Sequence, residues 1–158
     1  MPAPDSQTLR SQTREASVPT LPAGDTGAVV WHREHLRTED QPAVAAAAEA
    51  DHLLPLFVFD PAFYDASGLA CDGRLRFLHE SLTDLDGQYR ERTDGRLSYA
   101  VGDLLDVLER FRAAGWDVVA AAAPSGRYGA ERDARARADL GVRFADGDGL
   151  VRDAERTR

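Results

Sequence analysis

The sequence contains no lysine, so all 19 of its basic residues are arginine. A single cysteine, Cys71, excludes an intramolecular disulfide and makes a cytoplasmic protein the expectation. No apolar run approaches the roughly 20 residues of a membrane-spanning helix, and no signal peptide opens the chain, so we expect no membrane partner.

Positive charge is also in short supply. The chain carries 27 acidic against 19 basic residues and has a net charge of -8. A surface that repels phosphate groups does not favour direct nucleic-acid binding. The excess of acids, the arginine-only basic residues and an aromatic content of 8% are typical of a GC-rich, halophile-like composition. The 158 residues, 43% of them hydrophobic, are enough for one domain with a buried core.

Apolar runs alternate with amphipathic segments along most of the chain. Residues 1–26 hold four prolines among polar residues and predict a flexible tail, and residues 152–158 form a charged C-terminal end. Between them, five short apolar runs are typical of strands buried on both faces: 27–31, 53–59, 97–101, 116–123 and 142–145. The alternation predicts an α/β domain over residues 27–151, with a doubly wound parallel sheet covered by helices on both faces.

Four helices are predicted between these strands, at residues 43–50, 74–89, 104–111 and 130–140. Asp40-Gln41-Pro42 offers an N-cap and a first-turn proline to the first helix, and Asp103 can cap the third. Gly115 and Gly141 are expected to end the third and fourth helices. Residues 124–129 are expected to form a loop.

Several segments, in order, resemble the N-terminal α/β domain of the DNA photolyase/cryptochrome family. Residues 29–37 hold a tryptophan and two arginines, followed at 40–43 by Asp-Gln-Pro-Ala. Residues 54–61 form an apolar strand that ends in Asp-Pro, and residues 76–86 read Arg-Phe-Leu-His-Glu-Ser-Leu-Thr-Asp-Leu-Asp. Residues 101–103 and 127–133 continue the similarity, which is collinear from about residue 27 to 151.

This resemblance implies a Rossmann-like, five-stranded sheet of order 3-2-1-4-5, which the alternation of strands and helices also favours. In the family, this domain holds or borders an antenna chromophore: a reduced folate, a deazaflavin or FMN. A separate helical domain binds FAD and carries out repair. Because the chain stops at Arg158, where that domain would begin, we expect no FAD in this chain and no DNA photorepair, hence no enzyme activity, by the chain alone. A separately encoded FAD-binding photolyase domain or a second copy of the chain is the expected partner.

The order 3-2-1-4-5 places the first and fourth strands side by side, and ligands of such sheets bind beyond the carboxyl ends of the strands at this switch point. The loops there are 31–37 and 123–129. Arginines in these loops are expected to pair with a carboxylate or phosphate, glycines to let the backbone approach the ligand, and an aromatic ring to offer its face. The predicted cofactor-binding residues are Trp31, Arg33, Arg37, Ser125, Gly126, Arg127, Tyr128 and Gly129.

Two other functions are compatible with the sequence. One is a ligand-free interaction or structural protein, homodimeric, that kept the fold: arginines after a strand are often tied to nearby acids, and Glu34 and His35 stand where the family has an arginine and an aspartate. The other is an enzyme on an adenine-nucleotide-binding relative of the fold, against which stands the absence of a Walker loop. His32 and His35 are interpreted as surface residues, and neither metal ligands nor catalytic residues are predicted.

Overall fold

The computed structural model describes residues 18–33, 36–60, 72–93, 95–122 and 127–145. These residues form five strands and four helices: β1 Gly27–His32, α1 Pro42–Ala47, β2 His52–Phe59, α2 Asp72–Arg92, β3 Ser98–Val101, α3 Leu104–Ala113, β4 Asp117–Ala121, α4 Arg127–Leu140 and β5 Arg143–Ala145. All strand pairs are parallel and the order is β3-β2-β1-β4-β5. The predicted fold class and strand order are confirmed.

Helices cover both faces of the sheet, and β1 shows why. Val29 and Trp31 point into a core with α3 and α4, whereas Ala28 and Val30 point into a core with the small residues of α1. Successive side chains of a strand alternate between its faces, so a run that is apolar throughout needs a cover on each side. A third cluster joins α2 to β2 on the α1 side of the sheet around Phe57.

The ends of the helices differ in how well the sequence predicts them. Asp103 caps α3 as expected, because its Oδ1 accepts a hydrogen bond from the backbone N–H of Asp106 at 3.1 Å. Gly115 and Gly141 follow α3 and α4 with φ values of 90° and 64°, a left-handed conformation that suits glycine. At α1 the cap within Asp40-Gln41-Pro42 is Gln41, whose side chain accepts a hydrogen bond from the N–H of Ala43.

The fourth helix begins earlier than predicted. It starts at Arg127, so residues 127–129 are helical instead of part of a loop. Glycine has a low helix propensity, so Gly129 favoured the prediction of a loop in this stretch.

The N-terminal segment also differs from the predicted tail. Residues 18–26 lie against the amino ends of the strands, where Val18 and Leu21 pack on the core and the indole Nε1 of Trp116 donates a hydrogen bond to the Pro19 carbonyl at 2.9 Å. We call residues 18–26 the N-terminal strap. Residues 1–17 and 146–158, including the predicted C-terminal end, lie outside the described residues.

Candidate functional site

The carboxyl end of β1 lies at the switch point of the sheet, between β2 and β4. The pleat sends Trp31 to the α3/α4 side and His32 to the α2 side, where it meets Tyr89. Arg33 follows β1 and reaches across to β4 and α4. These three consecutive residues therefore contact elements on both faces of the sheet.

Arg33 is held by four groups. Its Nη1 donates to Oδ1 of Asp133 at 2.6 Å, and its Nη2 donates to the carbonyl of Ala121 at 2.9 Å. The guanidinium carbon lies 5.0 Å from the ring centroid of Trp31 and 5.1 Å from that of Phe144. The side chains of Arg33 and Asp133 are only 10% and 16% exposed. The arginine predicted to bind an anion thus already holds an internal carboxylate, supplied by α4.

One nitrogen of this guanidinium has no partner. Nε of Arg33 is buried and has no hydrogen-bond partner within the part of the chain that the structure describes. A buried polar group without a partner is uncommon in native proteins, and such a group is often satisfied by a water molecule or a ligand atom. The end of β1 therefore holds one buried nitrogen whose N–H has no acceptor among the described residues.

Trp31 is buried and does not form part of an open binding surface. Its side chain is 3% exposed and packs edge-on against Phe144 at a centroid distance of 6.3 Å. Guanidinium groups of Arg33 and Arg132 lie over the indole at 5.0 and 5.6 Å. The indole therefore supports the arginines, and a ligand reaches its face only if one of them moves.

The other predicted binding residues lie in different surroundings. Arg37 is exposed, and its Nη2 is 3.5 Å from the carbonyl of Asp40. Arg127, Tyr128 and Gly129 form the first turn of α4. Ser125 and Gly126 lie outside the described residues. Of the eight, the structure brings together Trp31 and Arg33.

A small cleft opens beside this site, between the first turns of α3 and α4. Its volume is about 130 Å³, and its lining residues are Asp60, Asp103, Leu104, Leu105, Glu131, Arg132 and Arg135. Pockets that enclose cofactor-sized ligands have volumes of roughly 300–1,000 Å³. The described residues thus fit one acceptor group of a chromophore, at Nε of Arg33, and do not by themselves enclose a flavin or folate ring system.

The opposite side of β1 contains a buried pair that the sequence reasoning missed. His32 is 2% exposed, and its Nε2 lies 2.5 Å from the hydroxyl of Tyr89 on α2. The interpretation of His32 as a surface loop residue is wrong, because β1 continues one residue beyond Trp31. The signal was present in the strand alternation, since His32 extends the inward series of Ala28 and Val30.

Alkaline pH is expected to destabilise the protein through Tyr89. Burial raises the pKa of this phenol above its ordinary value of 10.0. Above that pH the unfolded chain releases a proton that the folded protein retains, so the free energy of unfolding falls by up to about 1.4 kcal/mol per pH unit. Urea titrations between pH values of roughly 9 and 11.5 measure this slope, which Tyr89→Phe should reduce more than Tyr99→Phe does. Equal slopes in the wild type and the Tyr89 variant would contradict the assignment.

Two other kinds of site are absent from the described ranges. No three histidine, cysteine or acidic side chains there are grouped to hold a metal ion. No helix within the same ranges is both long and apolar enough to cross a membrane. Cys71 and His35 lie outside those ranges.

The parallel sheet, its doubly wound helices and the polar groups at the β1/β4 switch point define a Rossmann-like α/β domain, a class whose ligands bind at that edge. The family model for DNA photolyase matches residues 28–152. The chain therefore belongs to the DNA photolyase family, which confirms the resemblance noted in the sequence.

Individual relatives include both photolyases and cryptochromes. Cryptochrome-2 of Gallus gallus is 36% identical over 121 residues, which are 75% of this chain and 20% of the relative. Deoxyribodipyrimidine photo-lyase of Streptomyces griseus is 37% identical over 115 residues, 72% of this chain and 25% of that protein. The (6-4)DNA photolyase of Arabidopsis thaliana is 36% identical over 100 residues, 58% of this chain and 18% of that protein. The chain thus spans a quarter or less of these relatives.

A solved structure shows the same fold. The archaeal photolyase from Sulfolobus tokodaii, determined with two FAD molecules, matches with a TM-score of 0.59 and 23% sequence identity. The match covers 77% of this chain and 29% of that one. At this identity the likeness supports the architecture alone.

Proposed function

We propose that this protein is a photolyase/cryptochrome-type α/β module that binds a planar chromophore or nucleotide at the carboxyl edge of its sheet. The observation that carries the proposal is the Nε–H of Arg33, a buried donor without a partner among the described residues, at the switch point where ligands of this fold class bind. The Sulfolobus tokodaii photolyase, which shares this fold, holds two FAD molecules, and these imply a novel light-harvesting cofactor in that protein.

The residues around Arg33 have different roles in the proposed binding. Arg33 would donate to one acceptor of the ligand, while Asp133 and the Ala121 carbonyl hold the guanidinium in place. The rings of Trp31 and Phe144 stabilise the Arg33 guanidinium through cation–π contacts. The bound chromophore would supply light absorption. The chain itself contributes orientation and a water-poor setting.

We further propose that the 158 residues by themselves do not carry out DNA photorepair. A net charge of -8 opposes contact with the phosphate backbone, because phosphate contacts made by basic side chains supply most of the affinity for DNA. The proposed partner is a FAD-binding photolyase domain encoded separately, and the proposed location is the cytoplasm.

An absorption spectrum of the purified protein tests the binding function. It is recorded alone and after addition of 5,10-methenyltetrahydrofolate, FMN or a deazaflavin, followed by thermal denaturation. A ligand at 100 times its Kd should stabilise the fold by about 2.7 kcal/mol. Arg33→Lys is the informative variant, since lysine keeps the charge beside Asp133 and lacks the planar guanidinium fork. A shifted ligand spectrum in the wild type that weakens in this variant supports the proposal.

A second candidate function is a ligand-free interaction module that works as a homodimer. The observation in its favour is that Arg33 is already paired with Asp133, beside a cleft of only about 130 Å³. A colourless protein that none of these ligands stabilises, together with a dimer in analytical ultracentrifugation, would favour this candidate and remove the first.

A further inference from the structure

The binding group at the switch point carries no net charge, although an arginine forms it. Arg33 and Asp133 are 2.6 Å apart and are both largely buried. We propose, on the basis of the binding function above, that this site recognises an uncharged planar ring through a carbonyl or ring-nitrogen acceptor, and that it does not recognise phosphate. The sequence-based expectation for Arg33 was the opposite, a carboxylate or phosphate partner.

Charge compensation is the first reason. A phosphate brought to this guanidinium would also approach the Asp133 carboxylate, which lies 2.6 Å from Nη1. Repulsion between two close anions is strong where solvent screening is weak, and stripping water from a phosphate adds a further cost. A neutral acceptor avoids both of these penalties.

The free donor is the second reason. Nη1 and Nη2 of Arg33 already donate to Asp133 and to the Ala121 carbonyl, which leaves Nε without a partner in the described structure. Arginine binds phosphate well when it presents two parallel N–H groups. Nε carries one N–H and suits one carbonyl or ring nitrogen, while the existing bonds hold Nη1 and Nη2 toward Asp133 and the Ala121 carbonyl. Because Nε is covered, an acceptor reaches it only after a local rearrangement of the residues around it.

The surroundings are the third reason. The neighbouring cleft is lined by three acids, Asp60, Asp103 and Glu131, against two arginines, Arg132 and Arg135. The chain as a whole is acidic, with a net charge of -8. The described part of this edge therefore offers a phosphate group no excess of positive charge.

Riboflavin and FMN form a matched pair of probes, because they share one ring system and differ by a phosphate. Fluorescence titration of each with the purified wild-type chain should give dissociation constants within about threefold, since a neutral site discriminates little. Asp133→Asn should shift the ratio toward FMN by about tenfold, because the uncompensated guanidinium gains a charge-assisted contact. Asp139→Asn is the control: it removes the same charge from an exposed position of α4 and should leave the ratio unchanged.

FMN that binds the wild type more than about tenfold tighter than riboflavin overturns the inference. If such an FMN preference is found and disappears in Arg37→Gln, the phosphate binds at the exposed Arg37, and the inference is overturned as well. An unchanged ratio in folded Asp133→Asn, checked by circular dichroism, overturns the charge argument. If that variant does not fold, the wild-type ratio alone decides. Failure of both flavins to bind removes the flavin-binding function itself, an outcome distinct from binding with the wrong preference.

Discussion

Arg33→Met is expected to lower the free energy of unfolding by about 3–5 kcal/mol, because removal of one member of a buried ion pair leaves the other charge uncompensated. The stranded group is the Asp133 carboxylate, 16% exposed, and the Ala121 carbonyl loses a donor as well. Methionine keeps part of the apolar contact with Trp31 and Phe144. The fall in the free energy of unfolding therefore comes mainly from the unpaired charge of Asp133. Urea denaturation followed by far-ultraviolet circular dichroism measures it.

The chain offers a matched control in Arg112. Its Nη1 donates to Asp117 at 2.8 Å and to a backbone carbonyl, that of Trp116, at 3.1 Å. The two side chains are 35% and 59% exposed, so Arg112→Met should cost about 1 kcal/mol or less. Equal losses in the two variants would show that burial of the Arg33 pair does not matter.

A double variant separates the pair from its environment. Arg33→Met combined with Asp133→Leu removes both charges and should be more stable than Arg33→Met alone, because no buried carboxylate is left without a partner. If the double variant loses as much free energy of unfolding as the two single variants lose together, the loss comes from packing and not from an unpaired charge.

Much of the fold was predictable from local patterns. Strands such as β1 and β2 are apolar on both faces, which indicates a parallel sheet between two helical layers. The cap at Asp103 and the left-handed glycine at Gly115 depend on nearest neighbours alone, and both were confirmed. The start of α4 at Arg127 was missed, because the low helix propensity of Gly129 favoured a loop there.

The site was harder to predict because its contacts are long-range. Arg33 and Asp133 are 100 positions apart in the chain, and His32 and Tyr89 are 57 apart. A single sequence shows which residues can pair, and the fold decides which do. Acids close to Arg33 in the chain were the partners that the sequence suggested, and the observed partner is Asp133 on α4 instead.

The N-terminal strap, residues 18–26, carries the other large expected effect. It precedes the residues matched by the family model, which begin at Ala28. Yet it covers Trp116, which is 4% exposed, and a Cβ on Gly27 would lie only 2.6 Å from Leu21. Contact this close means that the strap and the start of β1 pack as part of one core.

A chain that begins at residue 27 should therefore be less stable than one that begins at residue 18, by about 3 kcal/mol or more, because it loses the burial of Val18 and Leu21 and exposes part of an indole. Both chains lack residues 1–17, so their difference isolates the strap. Asp25→Asn in the longer chain is the control: it weakens the half-exposed contact with His52, and its cost should stay below about 1 kcal/mol. Urea denaturation measures both losses, and tryptophan emission should move to longer wavelength only in the shorter chain. Two chains of equal stability, with unchanged emission, would show that the core ends at β1 and that the strap merely rests on it.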